Sequence, residues 1–250
     1  MALDPTLWHR RFQQQSQWTA PVRRYLLSRP NLQPGERILE VGCGTGVITA
    51  FLNGYAQSRS YGIDLNLAYL RIAQDYAPAA HFTGADALAL PYPSAAFAAA
   101  VCHYFLLWVP HPQAALAEMK RVTRPGGAVI AFAEPDYGGR IDYPTSLAAL
   151  GRLQSAALRD QGADPEMGRK LSGLFHAAGL HAIETGVLSG QWQNPPSPET
   201  LALEWKVLEA DLEGAIAKDQ MESLRKQNIA AWQSGERVLF VPTFYAIGWK

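Results

Sequence analysis

The sequence predicts an α/β fold built on a doubly wound, mostly parallel sheet. Three observations support this: short apolar runs alternate with helical stretches, spaced glycines directly follow the first run, and an acid ends the second run. Apolar residues make up 48% of the 250 residues, enough for a sizeable core. We expect seven strands, the last of them antiparallel, and a helical insertion before the last strand.

The elements follow in a regular order along the chain. A helical segment is expected at 7–28, because apolar residues recur there at helical spacing and Pro30 and Pro34 then interrupt it. The predicted strands are 37–41, 60–63, 81–83, 98–104, 128–133, 182–188 and 238–247. The predicted helices between them are 47–53, 67–76 and 112–122, with helical regions at 145–178 and 199–234.

The chain is expected to form one domain with three parts. Residues 1–34 are a predicted N-terminal helical lid, and residues 35–193 and 236–250 form the core. Residues 194–235 form the helical insertion, which is longer than a strand connection needs and is interpreted as a cap. A surface embellishment without a role in the site is the alternative.

Composition and charge limit the kinds of partner and cellular location that this protein can be expected to have. The formal net charge is zero, which disfavours a nucleic-acid partner. The N-terminus lacks the apolar stretch of a signal peptide, and the longest apolar run, 95–109, is too short to span a bilayer. We therefore expect a soluble, cytoplasmic protein. Cys43 and Cys102 are expected to be free thiols, and the histidines lack metal-ligand spacing.

The strongest local signal is a glycine loop after the first predicted strand. Gly42, Gly44 and Gly46 alternate there, and the helix behind them is expected to direct free N–H groups at a ligand. The dinucleotide pattern needs a glycine where Val47 stands. Asp64 stands about 20 residues after the loop, which is the separation expected for a carboxylate that accepts hydrogen bonds from ribose hydroxyls. A helix N-cap is the alternative role for this aspartate.

Four segments resemble one known family. RILEVGCGTG from residue 37, YGIDLN from 61, GADALALPYP from 84 and RVTRPGGAVIAF from 121 are similar to the motifs of class I S-adenosylmethionine-dependent methyltransferases. The resemblance is closest to the small-molecule group that includes the ubiquinone and menaquinone methyltransferases, and it covers about residues 35–134. It implies a Rossmann-like fold, S-adenosyl-L-methionine as cofactor and S-adenosyl-L-homocysteine as product.

The resemblance also implies which residues bind the cofactor. Asp64 would take the ribose hydroxyls, and Asp86 would accept from the adenine amino group. The full implied set is Trp18, Glu40, Gly42, Cys43, Gly44, Gly46, Asp64, Leu65, Asp86, Ala87 and His103. For Trp18, core packing of an amphipathic helix is the alternative. The family often has Phe-Asp opening the fourth strand, where this chain has Phe97 and Ala98.

The catalytic candidates follow from where ligands bind in doubly wound folds, beyond the carboxyl ends of the strands. They are His103, Tyr104, Asp136, Tyr137 and Arg140. Methyl transfer from a sulfonium needs alignment, exclusion of water and, for some substrates, a base. His103 is the base candidate because imidazole titrates near neutral pH, with a structural hydrogen bond as the alternative. Arg140 is a candidate clamp for a substrate carboxylate or phosphate, or the partner of a nearby aspartate.

Other functions were weighed against methyl transfer. An NAD-dependent oxidoreductase shares the fold logic and the acid after the second strand, but Val47 and the Asp86 element count against it. A non-catalytic S-adenosylmethionine-binding protein and an RNA or protein methyltransferase are further alternatives. No N-P-P-Y motif follows the fourth strand, which disfavours methylation of adenine or of a glutamine amide. Trp192, Trp205 and Trp232 are either pocket or core residues, and a homodimer is left open.

Overall fold

The computed structural model describes residues 4–189 and 196–250. The pocket candidate Trp192 lies outside these residues. The main sheet has seven strands in the order β3-β2-β1-β4-β5-β9-β7. Its strands are β1 Arg37–Val41, β2 Arg59–Asp64, β3 His81–Gly84, β4 Phe97–Cys102, β5 Thr123–Pro135, β7 His181–Ser189 and β9 Pro242–Trp249.

The pairing in this sheet confirms the predicted fold class. Strands β1 to β5 pair in parallel, and β9 pairs antiparallel with both β5 and β7. The reversal of strand order between β1 and β4 brings the carboxyl ends of these two strands together at one edge of the sheet. In open α/β sheets ligands bind at such a switch point.

The helices lie close to their predicted positions. They are α1 Pro5–Trp18, α2 Ala20–Ser28, α3 Val47–Gly54, α4 Leu67–Tyr76, α5 Pro112–Val122, α6 Ala148–Asp160, α7 Met167–Ala177, α8 Pro198–Asp211 and α9 Lys218–Gln233. The single helix expected at 7–28 is instead divided at Thr19. Pro21 stands in the first turn of α2, where its missing N–H is tolerated but where it prevents an unbroken helix.

The expectation of one closing strand at 238–247 is wrong in one respect. Residues Val238–Phe240 form β8, which leaves the main sheet and pairs with β6, Ile141–Tyr143, in a two-stranded sheet. No strand was predicted from the sequence at residues 141–143, where β6 lies. Pro242, which cannot donate to a strand ladder, marks the start of β9 after this excursion.

Apolar cores cover both faces of the main sheet. All six residues of β4 are buried, as expected for a strand that is covered on both sides. One face packs against α5 and α7 through residues such as Leu116 and Phe175, and the other against α2 and α3 through Leu26 and Leu52.

The insertion has its own small core. Trp205 packs there with Leu150 and Leu208, which joins α8 to α6. Trp232 is 5% exposed and Trp205 is 3% exposed, so both are core residues.

Within the described ranges, no helix combines the length and apolar character needed to cross a membrane. The same residues contain no cluster of three His, Cys, Asp or Glu side chains suited to a metal ion.

Candidate active site

The glycine loop needs glycine at each of its three positions. Gly42, Gly44 and Gly46 have φ angles of 72°, 51° and 78°, in the left-handed region that side chains disfavour. A Cβ atom on Gly44 would lie 2.9 Å from the ring of Phe12, so α1 approaches the loop closely. His9 of α1 adds a direct bond, with its Nδ1 2.8 Å from Oγ1 of Thr45. The first helix is therefore fastened across the loop.

Two N–H groups of this loop are already used within the protein. The Cys43 N–H donates to the carbonyl of Ile63 at 2.8 Å, and the Gly44 N–H donates to Oδ2 of Asp64 at 2.8 Å. These two N–H groups are therefore engaged by acceptors within the protein. The cap of α4 is Asn66, whose side chain accepts from two helical N–H groups. Asp64 therefore braces the glycine loop and is not the N-cap of that helix.

A cavity of about 370 Å³ opens against the loop, and we call it the glycine-loop cavity. Of the residues implied for the cofactor, Glu40, Gly42, Cys43, Gly44 and His103 line it. Further walls come from α1, α3, α4 and the loop after β4, among them Trp8, Phe12, Gln15, Tyr69, Tyr104, Phe105 and Trp108. The cavity thus lies at the carboxyl ends of β1 and β4.

The other implied cofactor residues do not line this cavity. Asp64 ends β2 and Leu65 follows it, and Asp86 and Ala87 come shortly after β3, so all four lie at the carboxyl ends of neighbouring strands. Leu65 is 72% exposed, and Asp86 is exposed. Gly46 begins α3 as its N-cap residue.

Glu40 is a buried acid in the cavity wall. It accepts a hydrogen bond from Oγ1 of Thr49 and is 2% exposed. Burial raises the pKa of Glu40 to about 8, against the effect of the Thr49 bond, and the nearby Asp64 charge adds to the rise. A cation beside this carboxyl would favour its ionised form.

His103 directly follows β4 and is held by a side chain. Its Nε2 lies 2.9 Å from Oγ1 of Thr19, at the break between α1 and α2. Burial lowers the pKa of His103 well below the usual value, and the Arg23 guanidinium lowers it further. The imidazole is therefore neutral at pH 7.

Tyr104 separates two cavities. It has a φ of 49°, which is unusual for a bulky residue and is typical of strained positions at functional sites. Its N–H donates to the carbonyl of Ala133 at 2.8 Å. Its hydroxyl bonds to Thr243, and burial raises the pKa of that hydroxyl.

The second cavity is small, about 60 Å³, and we call it the inner cavity. It shares Gln15 and Tyr104 with the glycine-loop cavity. Its other walls mix aromatic, apolar and charged side chains, including Arg11, Trp18, Tyr137, Arg140, Gln154, Leu188, Glu204, Leu239 and Val241. Trp18 therefore lines the inner cavity and not the glycine-loop cavity.

Two of the catalytic candidates, Arg140 and Asp136, form ion pairs, but only Arg140 lines a cavity. Arg140 lines the inner cavity and pairs with Asp142 at 2.7 Å, and it donates to Gln154 at 2.5 Å. Asp136 lines neither cavity. Its carboxylate is 4% exposed and accepts from Arg169 at 2.5 and 2.7 Å. The carboxylate of Asp136 is thus paired with a helical arginine, and its catalytic role stays a prediction.

Two functional contacts were missed from the sequence. Arg11 of α1 pairs with Glu204 of α8 at 2.5 Å, which joins the first helix to the insertion at the inner cavity. Glu134, buried at the end of β5, accepts from the N–H groups of Phe105 and Leu106 at 2.9 Å and of Leu107 at 3.2 Å. An acid at the end of an apolar strand was the available signal for Glu134.

Fold and site together define a doubly wound α/β protein with a ligand-sized cavity against its glycine loop. A methyltransferase-domain family model matches residues 39–131. An uncharacterized methyltransferase of Schizosaccharomyces pombe is 30% identical over 236 residues, which span 86% of this chain and 84% of that relative. The chain belongs to the class I S-adenosylmethionine-dependent methyltransferases, a family whose cofactor is S-adenosyl-L-methionine.

Other relatives match over a shorter length. The demethylmenaquinone methyltransferase of Renibacterium salmoninarum is 34% identical over 120 residues, so the match spans about half of each protein, 46% of this chain and 49% of the relative. Among solved structures, the geranyl diphosphate C-methyltransferase from Streptomyces coelicolor A3(2), in complex with Mg²⁺, geranyl diphosphate and S-adenosyl-L-homocysteine, has a TM-score of 0.56. It is 16% identical and covers 92% of this chain and 78% of that chain, a likeness in fold alone.

Proposed function

We propose that this chain transfers the methyl group of S-adenosylmethionine to a small-molecule acceptor. The observation that carries the proposal is the meeting of two cavities at Gln15 and Tyr104. The glycine-loop cavity suits the methyl donor and the inner cavity suits the acceptor. An in-line displacement requires direct contact between the methyl carbon and the acceptor atom, so the donor and the acceptor would have to meet past these two side chains.

The residues present fit the cofactor. Gly42 and Gly44 let the rings of Phe105 and Phe12 stand directly against the loop backbone, so a ligand bound at the loop would contact these two aromatic side chains. Each carboxylate oxygen of Asp64 accepts one backbone bond and retains a lone pair for a ribose hydroxyl. Glu40 and His103 would face the methionine end, and Leu65, Asp86 and Ala87 the adenine end.

The remaining residues would prepare the acceptor for reaction. When bound, the cofactor supplies an activated methyl group, so the protein has to align the acceptor and exclude water. His103 stays the candidate that would take a proton from the acceptor, and its lowered pKa restricts this role to an acceptor that ionises readily. Tyr104, Tyr137 and Arg140 would orient the acceptor, together with Trp18 on the same wall.

We assign the first helix and the insertion to a lid and a cap. The Arg11–Glu204 pair and the His9–Thr45 bond support this assignment, because they fasten α1 to the insertion and to the glycine loop. Residues 1–34 would then open to admit the cofactor, and residues 194–235 would close the acceptor side. The zero net charge supports a small molecule over a nucleic acid. A homodimer stays a prediction.

Calorimetric titration tests the cofactor site first, with S-adenosyl-L-homocysteine and NAD run in parallel. We expect micromolar binding of S-adenosyl-L-homocysteine and no binding of NAD.

A second experiment tests the class of acceptor. Labelled S-adenosylmethionine is incubated with the enzyme and, in separate reactions, with the small-molecule and the macromolecular fraction of a cell extract. Label that appears in the macromolecular fraction alone contradicts a small-molecule acceptor.

A further inference from the structure

The inner cavity is too small to hold a whole acceptor. Its volume is about 60 Å³, whereas ligand sites commonly enclose about 300–1,000 Å³. The rest of an acceptor must therefore lie beyond its walls. Tyr137 and Arg140 are walls of the inner cavity and also of a larger open cleft, of about 580 Å³. This cleft therefore lies directly beside the inner cavity, on the other side of these two side chains.

The cleft is lined by arginines on one face of α6. Arg152, Ser155 and Arg159 are spaced by three and four residues, so they lie along the same side of that helix. Arg140 faces them from the loop after β5. We call this surface, formed by Tyr137, Arg140, Gly151, Arg152, Ser155 and Arg159, the basic cleft.

Arg140 is held in place at the base of the basic cleft. It pairs with Asp142, and a Cβ atom on Gly151 would lie 2.7 Å from Oδ2 of Asp142 and 2.9 Å from Cδ of Arg140. The missing side chain at Gly151 thus lets this ion pair pack against α6. Asp142 is itself shared with Arg237, at 2.6 Å, so one buried carboxylate balances two guanidinium groups.

The exposed arginines of the basic cleft are weakly paired. Arg152 forms no ion pair with any residue in the described ranges. Arg159 lies 3.7 Å from Glu166, beyond hydrogen-bond distance, and the same glutamate lies 3.7 Å from Arg169 at the rim. Asp142 also lines the cleft, where it is shared by Arg140 and Arg237, and the carboxylate of Asp136 pairs with Arg169. The cleft therefore keeps positive charge for a ligand.

We propose that the basic cleft binds a phosphate monoester group of the methyl acceptor, whose reacting end reaches the inner cavity. This inference rests on the proposed function. A phosphate monoester has three terminal oxygens and a charge near −2, which suits two arginine forks and the Ser155 hydroxyl. A carboxylate has two oxygens and a single charge, so it matches this donor set less well.

Anion binding to the whole chain tests the proposal without knowledge of the acceptor. Glycerol 3-phosphate, inorganic phosphate and acetate are titrated at constant ionic strength, and backbone amide NMR shifts are recorded. We expect both phosphates to move the resonances of residues 151–159 with millimolar dissociation constants. Arg152→Gln/Arg159→Gln should weaken this binding by about tenfold. The matched control, Arg59→Gln/Arg71→Gln, removes the same charge at exposed positions elsewhere and should change it less than twofold.

Three results would overturn the inference. They are shifts that do not map to the basic cleft, equal binding by the two double variants, and acetate that binds as tightly as glycerol 3-phosphate. Titration of S-adenosyl-L-homocysteine on the same samples separates this test from that of the proposed function. If the wild-type chain fails to bind that ligand, the proposed function fails, whereas the anion data alone decide the basic cleft.

Discussion

The hydroxyl of Thr19, at the break between α1 and α2, lies 2.9 Å from Nε2 of His103 at the end of β4. The same hydroxyl accepts from Nη1 of Arg23, which is 3% exposed. The Nε of Arg23 has no hydrogen-bond partner among the described residues. The proposed lid therefore both orients the imidazole and places a buried cation behind it.

We predict that Arg23→Gln raises the pKa of His103. Burial is the larger cause of the low pKa and would remain, but the cation that opposes an imidazolium would be gone. NMR titration of ¹⁵N-labelled histidine measures the change directly and needs no substrate. Arg24→Gln, at an exposed neighbouring position, is the control and should leave the titration unchanged. An unaltered His103 titration in Arg23→Gln would show that the guanidinium does not act on the ring.

Asp64→Ala should weaken binding of S-adenosyl-L-homocysteine by roughly 2–4 kcal/mol, the value of a charge-assisted hydrogen-bond pair. Loss of the brace on the Gly44 N–H contributes to the same effect. Calorimetric titration measures the affinity, and thermal melting confirms that the variant is folded. Asp75→Ala, at an exposed position of α4, should bind as the wild type does. Full affinity in the folded Asp64→Ala chain would remove the ribose assignment.

Gly44→Ala tests how tightly the first helix closes on the loop. The alanine would have to adopt a φ of 51°, and its Cβ would lie 2.9 Å from the Phe12 ring. We therefore expect lower stability and weaker S-adenosyl-L-homocysteine binding. Gly35→Ala is the matched control, since Gly35 has a φ of 81° but no neighbouring atom within 4 Å. It should lose about 1 kcal/mol of stability and keep its affinity. Equal S-adenosyl-L-homocysteine affinities in the two variants would contradict the close packing of α1 against the glycine loop.

The buried Arg11–Glu204 pair should fasten the proposed lid. Glu204→Gln removes the charge that balances Arg11 and should cost about 1–3 kcal/mol, less than for a fully buried pair because Glu204 is 19% exposed. Hydrogen exchange of α1 should rise in parallel. The exposed Arg225–Glu209 pair is the control, and Glu209→Gln should change stability by less than about 1 kcal/mol. Unchanged exchange in α1 would show that the pair does not hold this helix.

Glu134 should make stability depend on pH. Burial raises its pKa to about 7, above the unfolded value of about 4.3, so the folded state binds more protons between these values. The free energy of unfolding contributed by this group is greatest below pH 4.3 and is lost as the pH rises through 7. Urea unfolding of wild type and Glu134→Gln over this range measures it. The variant should be less stable by about 1–3 kcal/mol, because its amide cannot accept all three N–H groups, and should lose part of the slope. Parallel pH profiles would contradict the assignment.

The sequence determined the main sheet, its glycine loop and the family. Period and composition are local signals, so α4 and α5 were predicted at their observed bounds. The acids Glu40 and Asp64 were found because each stands at a fixed distance from the glycines. The strand β4 was recognisable because burial on both faces demands an unbroken apolar run.

Only the tertiary structure determined which side chains line the same cavity. The pairing of β6 with β8 joins residues about one hundred positions apart, and three-residue strands carry too little periodicity to be seen in the sequence. The Arg11–Glu204 pair spans 193 positions, and the orientation of Asp136 depends on Arg169 of a later helix. Such partnerships arise from packing between distant elements, and they determine where the inner cavity and the basic cleft lie.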